Sequence, residues 1–301
     1  MPEYADFVRE QVESLGREHP VIRTQFFCEE ISDLTAMFTP ERIQAMLGSH
    51  SPLEQPEADR CYVFLIDIAG SDEMSARSRE QNGLSARRDA TVLTICDVFL
   101  QNNGSYHERK PVWNVVARRY YRNVPGLQLE QEIIREIKFW DPARIILDHS
   151  GLGCMLSDAL TREYPHLCRS FDITAQVKTR MAWEFLSMVM SGRWKEYHTD
   201  SLAAVKLPAF KRGRTSLEIL HDPAVLQHMF IHELRACRME PTLDVRTVRW
   251  GVPEGTRDPG TGRMIHDDLV MSAALSVLDE EDLPLIRTLP PWEPWKLARI
   301  V

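Results

Sequence analysis

The chain has 301 residues, 44% hydrophobic and 27% charged, with a formal net charge of −8; this is ordinary globular make-up with room for one large domain or two small ones. The charge argues against nucleic acid held by bulk electrostatics. No apolar run is long enough to cross a bilayer, and the start MPEYADFVRE lacks the basic and apolar regions of a signal peptide, so a cytoplasmic protein with no membrane partner is expected.

In chain order, EYADFVREQVESLGREHP carries a helical apolar rhythm. TPERIQAMLGSH opens a second helix, with Thr39 as cap and Pro40 at the first helical position. The turn-rich GSHSPLEQPEADR (48–60) then separates residues 1–58, a helical and irregular segment with linker, from a domain spanning 59–301.

CYVFLID (61–67) is a continuous apolar run ending in an acid and predicts a buried strand. DATVLTICDVFL (89–100) and VWNVVARRYYR (112–122) predict two more, and three strands in succession make an antiparallel meander. In the second of these, alternation predicts one buried and one wet face rather than a DNA-binding cluster.

The pattern then changes to helix 127–140, strand 143–150, helix 152–164, strand 168–174 and helix 177–192. Such alternation adds parallel strands, so the fold class is an α/β mixed sheet flanked by helices. DPAVLQHMFIHELRAC is a further helix, and the Gly/Pro-rich loop GVPEGTRDPGTGR precedes MIHDDLVMSAALSVLD (264–279). Cys28, Cys61, Cys96, Cys154, Cys168 and Cys237 contain no CxxC pair, so reduced thiols are expected.

The chemistry is expected at acids. Asp67 and Asp148 each close an apolar strand and are followed by small residues, DIAGS and DHSGLG. In a sheet with parallel neighbours that edge is where ligands collect. His266, Asp267 and Asp268 stand directly before an apolar helix. One aspartate there is explained as an N-cap. A second adjacent carboxylate adds repulsion that a cation between several acids would relieve. Helical spacing sets Asp267 in line with Met271, Ala274 and Leu278 on the buried side, and Asp268 beside Ser272 and Leu275 nearer the polar edge. A metal site at a sheet rim lies between core and solvent, which favours Asp268 as the principal ligand.

His266 is an auxiliary candidate or a capping histidine, and His198 reads as a surface residue. Lys178 and Arg180 open a helix and form either a phosphate contact or a solvated basic face, the second being favoured. Asp89 supplements the site or stops a turn. HELRACRME starts like a zinc peptidase helix, but Ala236 stands where the second histidine would be, which removes that reading.

Asp67 in FLIDIAGSDE, Asp148 in IILDHSGLG, and HDDLVMSAALS resemble the three acidic motifs of the nuclease domain of the large terminase subunit of tailed bacteriophages. HPVIRTQFFCEEIS, MAWEFLSMVMSGR and LQHMFIHELRAC are similar to further segments of that family. The resemblance implies a ribonuclease H-like fold and a metal-dependent endonuclease that cuts double-stranded DNA in genome packaging inside the bacterial host. Two ions, Mg2+ or Mn2+, are implied as cofactors. Asp67 would bridge both, Asp148 would hold one, and Asp268 with Asp267 the other. An ATPase motor, a small terminase subunit and a portal are the implied partners.

The family's motor carries a GxxxxGK[ST] phosphate loop, which is absent from this sequence. The expectation is therefore a C-terminal portion of a longer protein or a separately encoded nuclease subunit. A resolvase or transposase would share every carboxylate. An actin-like ATPase or kinase would explain DIAGS but needs a second phosphate loop and gives HDD no role. A nuclease-inactive module is disfavoured by the intact acids.

Overall fold

A computed structural model describes residues 35–69, 90–101, 110–150, 154–199, 217–242, 247–259, 262–283 and 287–289, with a few isolated positions nearer the N-terminus. Asp89 and most of the first predicted helix lie outside the described residues.

Helix α1 (Pro40–Met46) begins as its sequence dictates, with the Thr39 side chain accepting from Arg42 N. Strands β1 (Tyr62–Asp67), β2 (Thr91–Gln101) and β3 (Pro111–Arg122) form the antiparallel meander. Helix α2 (Gly126–Trp140), strand β4 (Arg144–Asp148), helix α3 (Cys154–Glu163), strand β5 (Cys168–Phe171) and helix α4 (Ala175–Met190) follow in the predicted alternation. β4 joins β1 in parallel and β5 joins β4 in parallel. With the short β6 (Trp194–Lys195) the order across the sheet is β5-β4-β1-β2-β3-β6, and β7 (Glu218–Leu220) pairs antiparallel with β3.

Helix α5 (Pro223–Ala236) precedes a two-stranded hairpin, β8 (Arg238–Pro241) with β9 (Val248–Gly251). Helix α6 (Asp268–Ala274), a 3-10 turn (Leu275–Val277) and β10 (Arg287–Leu289), which pairs parallel with β2, complete the described elements. The hairpin and β7 lie in the stretch where periodicity yields only the one helix, because strands of three or four residues are too short to show an alternation.

Period-two alternation sorts β1 between two cores. Tyr62, Phe64 and Ile66 pack with Ile145 and Leu147 of β4 against Leu129, Ile133, Ile137 and Trp140 of α2. Val63 and Leu65 pack with Val92 of β2 and Ile146 of β4 against α4, α5 and α6, a core that also takes in Met37, Phe38 and Met46 around α1. Both faces being covered, β3 has no wet face. Trp113, Val115, Val116, Tyr120 and Tyr121 are all buried, and so is Arg118, which the buried Glu196 holds through two hydrogen bonds. Alternation predicts a wet face for a two-layer arrangement; the second helical layer removes it.

Candidate metal centre

Asp67 and Asp148 are brought together by register. β1 and β4 run parallel with Ile66 opposite Leu147, so the next residue on each strand is an aspartate. Asp67 has the parity of Val63 and Leu65, and Asp148 the parity of Ile146, so both carboxylates lie on the face that carries α6. Asp148 Oδ1 accepts from Ser150 N at 2.7 Å, and Ser150 Oγ accepts from Ile173 N at 2.8 Å. That pair of bonds ties the end of β4 to the chain leaving β5.

Helix α6 delivers the third acid to the same end. Ser272 Oγ lies 2.9 Å from Leu65 O and 2.8 Å from Thr94 Oγ1, which seats the helix over the paired residues Leu65 and Thr94. One turn earlier, Asp268 Oδ2 accepts from Ala90 N at 2.9 Å, beside the start of β2 that faces the end of β1. Asp268 is 5% exposed.

This reverses the orientation expected from helical spacing. Asp268 is the buried member of the pair, and the Asp267 side chain is 30% exposed. The reason is local: Asp267 has φ −112° and ψ 16°, so the helix begins one residue later and spacing cannot be extended back to it. Nor is either aspartate the side-chain cap of α6. Asp267 occupies the N-cap position without a side-chain cap bond. Glu233 of α5 caps instead, its Oε2 accepting from Leu269 N at 2.9 Å and Val270 N at 3.1 Å.

Glu233 is a site residue that motif reasoning passes over with the discarded HELRAC segment. Its signal was present in the sequence as an acid three positions after Phe230 and seven after Leu226, on the stripe that α5 buries. Burial first, then the charges of Asp268 and Asp267, push its carboxyl well above the ordinary range. Burial and the Asp268 charge likewise raise the Tyr120 hydroxyl.

Lys178 departs from the solvated basic face favoured by sequence. Its Nζ stands 4.0 Å from Asp267 Oδ2 and 5.3 Å from the centre of the Trp250 ring, and its carbonyl accepts from Trp250 Nε1 at 2.6 Å. Arg180 is exposed, as is His198. Gly251, at the end of β9, has φ +137°, and a Cβ there would collide with Asp267 Oδ2. His266 lines an opening with Tyr120, Arg122, His232 and Glu233.

The donors suit a hard divalent cation in kind: carboxylate oxygens from β1, β4 and α6, two of the groups fixed by backbone N–H, in a region whose negative charge already disturbs Glu233 and Tyr120. Among the described residues no three His, Cys, Asp or Glu side chains stand close enough to form a ligand set, so the acids share a face and an edge without being drawn to coordination spacing.

The fold is similar to that of the large terminase nuclease from thermophilic phage G20c, with a TM-score of 0.50 and 12% identity over 82% of this chain and 100% of that one. The same nuclease with bound magnesium gives a TM-score of 0.49 and 12% identity over 80% of this chain and 95% of that one. The HK97 bacteriophage large terminase gives 0.42 and 11% over 80% of this chain and 43% of that one. No family model matches the chain, and no curated protein does. The chain thus shares the mixed α/β fold of the G20c terminase nuclease, a sheet of parallel and antiparallel strands flanked by helices.

Proposed function

We propose that the protein is a metal-dependent endonuclease that cuts double-stranded DNA during phage genome packaging, with residues 59–301 as the nuclease domain and 1–58 as the segment leading into it. One observation carries this reading: Asp67, Asp148 and Asp268 reach the same end of the same sheet face from three separate elements. A cap or a strand-ending turn needs one acid, whereas a hard cation needs several oxygen ligands from separate elements.

When bound, two Mg2+ or Mn2+ ions supply an activated water at phosphorus and charge stabilisation for the leaving 3′ oxygen. Asp67 would be shared between the ions, Asp148 would hold one, and Asp268 with Asp267 would hold the other. Lys178, beside Asp267 and partly exposed, offers a cation to a substrate phosphate. His266 stands next in the chain as an auxiliary group, and Asp89 adjoins the Ala90 amide that anchors Asp268. Products carry 5′ phosphates. Positioning on DNA falls to an ATPase motor, a small terminase subunit and a portal, since this chain's net charge of −8 supplies little attraction.

Incubation of the full chain with supercoiled plasmid tests the reading. Slow nicking and cutting with Mn2+ or Mg2+, lost in EDTA and falling steeply with salt, is expected. Cleavage that persists in EDTA contradicts metal dependence. Salt-resistant binding to a defined sequence fits a resolvase or transposase sharing the same acids.

A further inference from the structure

We infer that Glu233 is a positioning residue of this site: by capping α6 from the neighbouring helix α5 it fixes where Asp268 stands and releases the Asp267 side chain from capping. The inference rests on the nuclease reading above, and its subject is the bond from Glu233 Oε2 to Leu269 N and Val270 N.

These two amides belong to the second and third residues of α6, the donors that an N-cap side chain ordinarily takes. Aspartate is among the best N-caps, and Asp267 already occupies the N-cap position. A helix that needed only a cap would use it. Instead the fold buries Glu233 to 4% exposure, in the field of Asp268 and Asp267. Burying a further acid beside two others is unfavourable. It is therefore retained for something a local cap cannot give.

What it gives is a fixed first turn with both aspartates directed elsewhere. Asp268 reaches the Ala90 amide and Asp267 lies toward Lys178, in space that Gly251 leaves by lacking a Cβ. Ser272 secures the following turn to Leu65 and Thr94 on the sheet. Glu233 secures the first turn from the opposite side, through α5. Without it the leading amides of a seven-residue helix lose their partner, and the turn bearing Asp268 loses its anchor to α5. Outer partners that orient a ligand are worth about 10- to 100-fold in metal affinity.

The test uses the full chain and four forms: wild type, Glu233→Gln, Glu233→Leu and Asp268→Ala. Gln keeps an oxygen acceptor for both amides; Leu keeps the apolar packing of α5 and removes the acceptor. Two readouts are taken, hydrogen exchange across residues 266–272 in metal-free protein and Mn2+ affinity by titration calorimetry. Expected for Glu233→Leu is faster exchange in that peptide with an Mn2+ dissociation constant raised about tenfold or more. Glu233→Gln stays within about threefold of wild type in both readouts.

A folded Glu233→Leu with wild-type exchange or wild-type Mn2+ affinity overturns the inference. So does a Glu233→Gln form as impaired as Glu233→Leu, since a lost charge rather than a lost acceptor is then responsible. If Glu233→Leu does not fold, the Gln form decides: retained affinity supports the acceptor role and a shift beyond threefold overturns it. Asp268→Ala separates the two levels. Wild-type Mn2+ affinity there removes the nuclease reading itself, whereas lost affinity there with an unaffected Glu233→Leu removes only the role of Glu233.

Discussion

Asp268 Oδ2 accepts a hydrogen bond of 2.9 Å from the backbone N–H of Ala90, joining positions 178 residues apart. The bond fixes the first residue of α6 to the start of β2, where β2 faces the end of β1 and the carboxylate of Asp67. A helix N-terminus, a strand start and two strand ends are thereby gathered at one rim of the sheet.

Asp268→Ala is expected to abolish metal-dependent cleavage while the fold persists, because the Ser272 contacts and the Glu233 cap still seat α6. Asp267→Ala lowers cleavage only partly, on the order of 10- to 100-fold, as for an outer-sphere or auxiliary ligand. Plasmid nicking rates of the two variants, with far-UV circular dichroism as the fold control, check this. A dead Asp267→Ala beside an active Asp268→Ala reverses the assignment.

Gly251→Ala is expected to act at a distance in sequence. The added Cβ meets Asp267 Oδ2, and φ +137° is a conformation that L side chains rarely adopt. Strain of this kind costs of order 1–3 kcal/mol. A lowered denaturation midpoint together with reduced cleavage is the expected pair of results. Unchanged cleavage would show that Asp267 can move without consequence.

His228 of α5 gives a pH dependence of its own. Burial, then the charge of His232 stacked 4.3 Å away, holds its pKa below the ordinary 6.5, against the opposing pull of Asp258. Below pH 6.5 the unfolded chain therefore takes up a proton that the folded chain refuses, so this group removes stability as pH falls through that window. Denaturation midpoints of wild type and His228→Gln at pH 7.5 and 5.5 check the sign: the wild type loses more on acidification. A larger loss in the variant contradicts it.

The order of strands and helices from residue 61 to 192 was legible because its helices, of 10 to 16 residues, show their period, and the four-residue β5 followed from its place between two of them. Asp67 and Asp148 were legible for a related reason, as acids closing apolar runs. Adjacency of the two strands comes from the crossover through α2 and from pairing register, which no local pattern states. The orientation of the HDD pair was misread because spacing was carried across a residue that is not helical. Glu233 showed only as an acid on the buried stripe of α5; its role did not, because its partners are backbone amides 36 and 37 positions away, and a backbone amide leaves no mark in sequence.

The most direct measurement is the melting temperature of the full chain with and without saturating Mn2+, for wild type and for Asp67→Asn. Clustered carboxylates repel one another without a cation, and an ion that binds the folded state stabilises it by mass action, about 2.7 kcal/mol at a concentration 100 times its dissociation constant. The expected result is a wild-type midpoint that rises by several degrees with Mn2+ and an Asp67→Asn midpoint that rises little, from a metal-free value at or above that of wild type. A wild-type midpoint that Mn2+ leaves unmoved, or an Asp67→Asn form that responds as the wild type does, would contradict the metal centre.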